Sequence, residues 1–204
     1  MADVIAPPLY RLTQGLPPYF EQSRRALESH LRSEFQIEDS LPSTRWGVRR
    51  VVLRGPDEGR TLQEAMVSEG AVRVFPQSDD HDFIRRLLVL EARARDMRSG
   101  LWALPAYRQF DALNAEGAIG AFHLVEGAIV RAERFGARFY LNFDDDFRTD
   151  FTATAASTLY RRWRRNDFDL ASLNSARVRI RGYVQSINGP SIDLKHPLQI
   201  ERVG

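Results

Sequence analysis

Residues 61–102 read TLQEAMVSEGAVRVFPQSDDHDFIRRLLVLEARARDMRSGLW, and this stretch decides how the first half of the chain folds. Residues 62–69 have the apolar spacing of a helix, and Gly70 stands where a left-handed residue would end it. A short strand-like run follows and stops at Pro76. Apolar side chains then recur at helical spacing over 83–94, which predicts a second, longer helix. The predicted order is therefore helix, short strand, helix.

This order of elements, closed by Gly-Leu-Trp at 100–102, resembles the C-terminal half of the staphylococcal nuclease, or thermonuclease, family. Members of that family cleave nucleic acids with calcium, and their chemistry lies in the other half of the fold. The resemblance covers residues 9–104 and implies a truncated thermonuclease-like OB-barrel with packed helices. We therefore expect an α+β protein whose first domain is residues 1–104.

The positions that carry the family's chemistry hold unsuitable residues in this chain. By the resemblance, Leu16 replaces a calcium-binding Asp, Tyr19 replaces the Glu proposed as general base, and Val48 replaces an Arg that stabilises the transition state. Phosphodiester hydrolysis by this route needs a cation held by carboxylates, a base that activates water, and cationic donors. Only Arg11 matches the catalytic set. The sequence therefore predicts no catalytic residues, no metal and no cofactor.

Two more residues of the first domain, Arg45 and Trp46, match positions that flank the nucleotide phosphates in the family. Together with Arg11 they are candidates for binding nucleic acid. The alternative is an exposed strand arginine beside a half-buried tryptophan. We expect a thermonuclease homologue that has lost phosphodiesterase activity and acts as a nucleic-acid-binding or scaffolding protein.

The family's opening strands, with their Val-x-Asp-Gly-Asp-Thr signature, have no counterpart in the printed sequence. Without them a barrel edge would be open, so we expect the second domain or a protein partner to cover it. Alternatively, translation begins upstream, and a signal peptide with the missing strand would restore an active calcium-dependent nuclease, periplasmic or secreted. As printed, the chain has no signal peptide and no membrane-spanning run, so a cytoplasmic protein without membrane contact is expected.

A small, polar linker is predicted at 105–120, and after it the sequence over 121–204 has the spacing of strands. The predicted order, three strands, a helix and then more strands, is that of the OB-fold, a small closed barrel. Characteristic phrases are VEG at 125–127, FRTDFT at 147–152, VRIRG at 178–182, NGP at 188–190 and HPLQIE at 196–201. They are similar to a C-terminal domain found on bacterial thermonuclease-like proteins. We therefore expect a second, small OB-fold-like β-barrel.

OB-folds often bind single strands through aromatic and cationic side chains on one face of the sheet. Residues two apart on a strand share a face, which is the spacing of several such pairs here. The candidates are Arg138, Tyr140, Arg179, Arg181 and Tyr183. A solvated, arginine-rich sheet face is the alternative interpretation. Single-stranded nucleic acid is the expected partner, and a protein-interaction module without nucleic acid remains the other hypothesis.

Composition excludes several kinds of site. The 204 residues include no Cys, which excludes disulfides and thiolate chemistry, and the net charge is only +2. The acidic run 144–146 lacks the spacing of a calcium loop and predicts a solvated turn. Residues 161–165 read RRWRR; we expect these cations to spread around a helix that Trp163 anchors in the core.

Overall fold

A computed structural model describes residues 1–7, 18–32, 34–43, 47–55, 59–144 and 151–203. The chain is an α+β protein, as the sequence predicts, and it divides into two compact units, Met1–Tyr107 and Arg108–Gly204. The boundary falls inside the segment predicted as a linker. In the described part of the chain, no helix is long and apolar enough to cross a membrane.

In its described residues, the first unit combines three α-helices with two pairs of strands. Its elements are β1 (Val4–Ile5), α1 (Phe20–His30), β2 (Gln36–Leu41), β3 (Arg50–Arg54), α2 (Leu62–Ser68), β4 (Arg73–Val74) and α3 (His81–Asp96). β1 pairs antiparallel with β4, and β2 pairs antiparallel with β3. The described strands thus form two separate two-stranded sheets, whereas the resemblance implies one truncated barrel.

The helices α2 and α3 confirm the pattern predicted from residues 61–102. Thr61 begins α2 in a capping box: its side chain accepts from the backbone N–H of Glu64, whose side chain accepts from the backbone N–H of Thr61. Gly70 ends the turn after α2 with φ 66°, the left-handed conformation predicted for it. A Cβ at Gly70 would lie 2.2 Å from the carbonyl oxygen of Ser99, so this close approach of two backbones requires glycine.

Burial explains why these two helices form. The apolar stripes of α2 and α3 are removed from water, and such burial is the main stabilising term for an amphipathic helix. The buried side chains include Leu62, Met66, Val67, Phe83, Ile84 and Leu87. Buried Glu91 of α3 accepts from the backbone N–H of Val74 at 2.6 Å, which ties this helix to β4.

The second unit is mostly strand. Its elements are β5 (Phe110–Asp111), β6 (Phe122–Ala128), β7 (Arg131–Phe135), β8 (Arg138–Asn142), β9 (Thr152–Ala156), α4 (Ser157–Arg165), β10 (Arg177–Ser186), β11 (Pro190–Leu194) and β12 (Ile200–Arg202). Part of the predicted linker belongs to this unit, because β5 pairs with β6 and Ala112, Ala115 and Ala118 are buried in the core.

These strands form one sheet in the order β5-β6-β10-β11-β9-β8-β7, with β12 paired to β10. β9 and β11 are parallel, while β6–β10, β10–β11, β8–β9 and β7–β8 are antiparallel. Only Ile129 and Val130 separate β6 from β7 in the chain, yet these strands pair near opposite ends of this order. The sheet therefore curls, a geometry compatible with an OB-like barrel.

The interior of the curled sheet is the core of the second unit. Phe139 and Leu141 of β8 point inward, as do Val178 and Ile180 of β10. α4 packs against this core through Tyr160 and Trp163, and the ring of Tyr160 lies 4.4 Å from that of Phe139. The prediction that Trp163 anchors the helix is confirmed.

Candidate functional site

A groove of about 500 Å³ lies on the face of the second unit's sheet that points away from the core. Strands alternate, so the residues between the inward-pointing Phe139 and Leu141 of β8 face the groove. The strand register places one row of side chains across four neighbouring strands on this face. In that row, Tyr140 lies opposite Glu133 of β7 and Thr154 of β9. Asp193 of β11 lies opposite Thr154 and completes the row.

Two large apolar side chains line this groove in contact with water. Phe135 ends β7 just before the turn to β8, and 78% of its surface is exposed. Ile187 lies in the turn between β10 and β11 and is 61% exposed. Exposed aromatic and aliphatic groups in a concave site lose unfavourable contact with water when a ligand covers them.

Neutral polar groups make up much of the remaining lining. They are the amides of Asn142, Gln185 and Asn188 and the hydroxyls of Thr152, Thr154 and Ser191. Amides and hydroxyls both donate and accept hydrogen bonds. The groove therefore combines apolar surface with groups able to read the polar edge of a ligand.

The charges of the groove nearly balance. The guanidinium of Arg138 donates to the carboxylate of Asp193 and to the hydroxyl of Thr154, and the ammonium of Lys195 also pairs with Asp193. Arg131, beside the groove on β7, lies 3.7 Å from Glu133. The lining itself has one cation and two carboxylates, and with Lys195 and Arg131 beside it the sum is one positive charge. A polyanion would meet only weak attraction here, and most of the binding free energy would come from other contacts.

The structure places two of the predicted residues, Arg138 and Tyr140, in this groove. Sequence reasoning missed Phe135, Gln185, Ile187, Asn188 and Asp193. Phe135 carried a usable signal, since it occupies the outward phase of β7 directly before the turn at Gly136. The other missed residues lie on β10, on β11 and in the turn between them. They are far along the chain from β8, so the sequence does not show that they line the same groove.

The predicted residues of β10 lie elsewhere. Register sets Arg179 directly opposite Glu126 of β6, and the Glu126 carboxylate accepts from Arg179 at 2.8 Å and from Arg177 at 2.9 Å. The amide of Gln109 donates to the same carboxylate at 3.0 Å and accepts from Arg179 at 3.1 Å. Both cations are thus held by one buried carboxylate.

The electrostatics of Glu126 reflect this arrangement. Its burial by itself would raise the pKa of the carboxyl, but the hydrogen bonds and charges of Arg177 and Arg179 outweigh that effect and hold the pKa below its usual value. Glu126 is therefore ionised at neutral pH and compensates the two cations.

Arg181 and Tyr183 continue the same face of β10. The side chain of Arg181 is fully buried and pairs with the carboxylate of Glu201 on β12. Tyr183 is 40% exposed and contacts Phe122 edge-on, with ring centres 5.7 Å apart. The structure does not bring Arg179, Arg181 or Tyr183 into the groove.

The sites predicted in the first unit are only partly described. Arg11, Leu16, Arg45 and Trp46 lie outside the described residues. Tyr19 directly precedes α1 in a left-handed conformation, with φ 68°.

Val48, at the position of the family's transition-state arginine, is 56% exposed. Among the described residues, no group of three or more His, Asp or Glu side chains is placed to hold a metal ion.

Comparisons with known proteins do not add to this picture. No protein-family model matches the chain, and no curated protein matches it.

Proposed function

We propose that the second unit is an OB-fold-like domain that binds single-stranded nucleic acid in the groove. The observation that carries the proposal is the position of the groove. It lies over β8 and β9, beside the turns that follow β7 and β10. In OB-folds the second and third strands, with the loops that join strands 1–2 and 4–5, form the binding face for oligonucleotides and oligosaccharides.

The strand pairings support this correspondence. β6 and β7 act as one bent first strand, followed by β8, β9, α4, β10 and β11 in the order of the OB-fold. The third and fifth strands of this assignment, β9 and β11, run parallel, and the other pairs are antiparallel. β6 and β7 are consecutive in the chain yet lie near opposite ends of the sheet order, which is the curl that a barrel of this kind requires.

The chemistry of the groove suits nucleobases. Phe135 and Tyr140 offer ring faces, and base–aromatic stacking contributes about 1–3 kcal/mol per base. Nearby amides such as Asn142 and Gln185 can pair with base edges. Because the groove carries little net charge, stacking and base contacts provide most of the affinity there.

For the first unit we propose a thermonuclease-like domain without phosphodiesterase activity. Leu16, Tyr19 and Val48 at the family's chemical positions support this proposal, as does the helix–strand–helix order of α2, β4 and α3. Incubation of the purified chain with calcium and DNA or RNA tests it. Cleavage that requires calcium and disappears in Arg11→Ala would contradict the proposal and favour an active nuclease.

The binding proposal is tested by titrating the whole chain with a fluorescent single-stranded DNA of about 16 nucleotides, the upper end of OB-fold site sizes. We expect measurable binding at low salt and a loss of about tenfold in Phe135→Ala, because one stacking platform is removed. Ile37→Ala, which alters a 56% exposed apolar residue of the first unit, is the matched control and is expected to bind normally. No binding at low salt would contradict the proposal and favour a protein-interaction module.

A further inference from the structure

Four arginines of α4 surround Trp163, and their positions separate them into two kinds. Consecutive residues of a helix are rotated by about 100°. Arg161, Arg162 and Arg165 therefore share an arc of about 100°, with Thr158 at its centre. This set has the i, i+3, i+4, i+7 spacing of one helix face, and all four residues are exposed. We call it the α4 stripe.

The orientation of the α4 stripe is fixed by the buried side of the helix. Tyr160 and Trp163 are buried in the core of the second unit, and the direction midway between them is opposite the centre of the stripe. The hydroxyl of Tyr160 also donates to Asp169 at 2.9 Å. The stripe therefore points directly away from the core, and its cations are not spread around the helix as the sequence suggests.

The fourth arginine, Arg164, differs from those of the stripe because it has a carboxylate partner. Arg164 lies 4.0 Å from the carboxylate of Asp169. Arg161, Arg162 and Arg165, by contrast, have no ion pair within the part of the chain that the structure describes. Arg161 and Arg165 are four residues apart, a like-charge pair that destabilises an isolated helix. The helix dipole favours cations only in the last turn, so it does not account for Arg161.

We infer that the α4 stripe binds the phosphate backbone of a nucleic-acid strand, an inference that rests on the proposed function. Guanidinium groups bind phosphate oxygens in bidentate fashion. The rise from Arg161 to Arg165 is about 6 Å, which is comparable with the separation of successive phosphates along one strand. The stripe thus supplies the cationic contacts that the nearly neutral groove lacks.

Two observations favour a nucleic acid over a membrane surface as the occupant. Helices that lie on membranes insert an apolar face, whereas the bulky apolar side chains Tyr160 and Trp163 of α4 are buried in the protein. In addition, α4 starts beside the groove: the backbone N–H of Ser157 donates at 2.8 Å to the carbonyl of Ala137, in the turn after Phe135. A strand that leaves the groove past Phe135 meets this helix.

The test compares two triple variants that change the net charge equally. R161Q/R162Q/R165Q removes the stripe, and R25Q/R32Q/R93Q removes three exposed arginines of the first unit that also lack ion pairs among the described residues. Affinity for the same single-stranded DNA is measured from about 50 to 200 mM salt, a range in which phosphate contacts weaken strongly.

Each phosphate contact with a single strand contributes about −0.7 to the slope of log affinity against log salt. Loss of the stripe is therefore expected to make the slope shallower by about 2 and to weaken binding by as much as about 100-fold near 0.1 M salt. The control variant keeps the slope of the unmodified chain. R161K/R162K/R165K, which retains the charge, keeps most of the salt dependence, and circular dichroism checks that each variant is folded.

The outcomes separate this inference from the proposed function. Absence of DNA binding by the unmodified chain, or binding unaffected by Phe135→Ala, contradicts the groove proposal. Binding by the unmodified chain with an unchanged slope in R161Q/R162Q/R165Q contradicts the stripe alone, as do equal losses in both triple variants. Selective loss of binding to anionic phospholipid vesicles, with DNA binding intact, assigns the stripe to a membrane surface and overturns the inference.

Discussion

Two surfaces of the second unit share one sequence pattern. They are the groove over β8 and β9 and the arginine-rich face of β10. β8 carries Arg138 and Tyr140 two residues apart, and β10 carries Arg181 and Tyr183 with the same spacing. In the groove, Tyr140 faces open space. On β10, the cations are held by Glu126 and Glu201, which come from β6 and β12.

The difference lies in the neighbouring strands. Arginines on both faces pair with carboxylates, so cross-strand register instead decides whether the tyrosine beside them meets a cavity, as Tyr140 does, or another ring, as Tyr183 does. Register joins residues far apart in the chain. Arg179 pairs with Glu126, which precedes it by 53 residues. An arginine–aromatic alternation therefore indicates an outward strand face without telling a binding surface from an ion-pair network.

The largest expected effect concerns the ion-pair network. Glu126→Gln removes the buried carboxylate that holds Arg177 and Arg179, and we expect a loss of about 2 kcal/mol in the free energy of unfolding. Glu133→Gln on β7 is the matched control, because its pair with Arg131 is solvent-exposed, and a change within about 0.5 kcal/mol is expected. Urea denaturation measures both. Equal losses of unfolding free energy in the two variants would mean that the carboxylate on β6 stabilises the fold no more than the exposed one on β7.

Next in size is the effect of the two tyrosines on DNA binding. Tyr140→Ala is expected to weaken binding by about tenfold, since a stacking surface of the groove is lost. Tyr183→Ala, on the face of β10, is expected to leave the affinity unchanged. Fluorescence anisotropy with single-stranded DNA makes the comparison. A larger loss in Tyr183→Ala would move the binding surface from the groove to β10.

The pH dependence of stability provides another test of the ion-pair network on β10. The pKa of Glu126 lies below its usual value, so its contribution is complete above the pKa of an unfolded glutamate, about 4.3. This contribution is lost as the pH falls through the lower pKa of the folded state. We expect the free energy of unfolding to decrease with acidification over that range, and to decrease less in Glu126→Gln. Parallel pH profiles of the two proteins would show that Glu126 is not a source of the acid sensitivity.

The smallest expected effect concerns whether a carboxylate in the groove opposes the binding of an anionic ligand. Glu133 lines the groove, and a nearby carboxylate repels phosphate. Glu133→Gln is therefore expected to tighten binding of single-stranded DNA by about two- to threefold at low salt, a screened surface effect of less than about 1 kcal/mol. Weaker binding in this variant would indicate that the carboxylate accepts hydrogen bonds from the ligand, as in a sugar site.

Local patterns predicted the local elements well. The helix predicted around residues 161–165 forms as α4, and Gly70 adopts the left-handed conformation that the end of α2 requires. Both features depend on residues within a few positions of one another. The α+β class and the strand-rich second half follow from the same short-range signals.

The groove was predicted on one strand only, although Phe135 of β7 also carried a usable signal. Tyr140 and Arg138 follow from the alternation of β8, but Asp193 and Ser191 reach the site through the parallel pairing of β9 with β11, about 40 residues along the chain. The α4 stripe was hidden for another reason. Helical spacing alone sets its three cations on one face, but only the structure shows that Arg164 has a partner in Asp169.

The joint between β6 and β7 has a practical consequence for protein engineering. Ile129 donates its backbone N–H to Ala176 and Val130 donates its own to Asn142, so adjacent residues bond to different parts of the second unit. A circular permutant with its termini at this joint would lose the direct covalent link between β6 and β7. The two strands would then have to take their places in the sheet independently. New termini at an exposed turn such as Gly136 would keep this joint intact, although Phe135 beside that turn lines the groove.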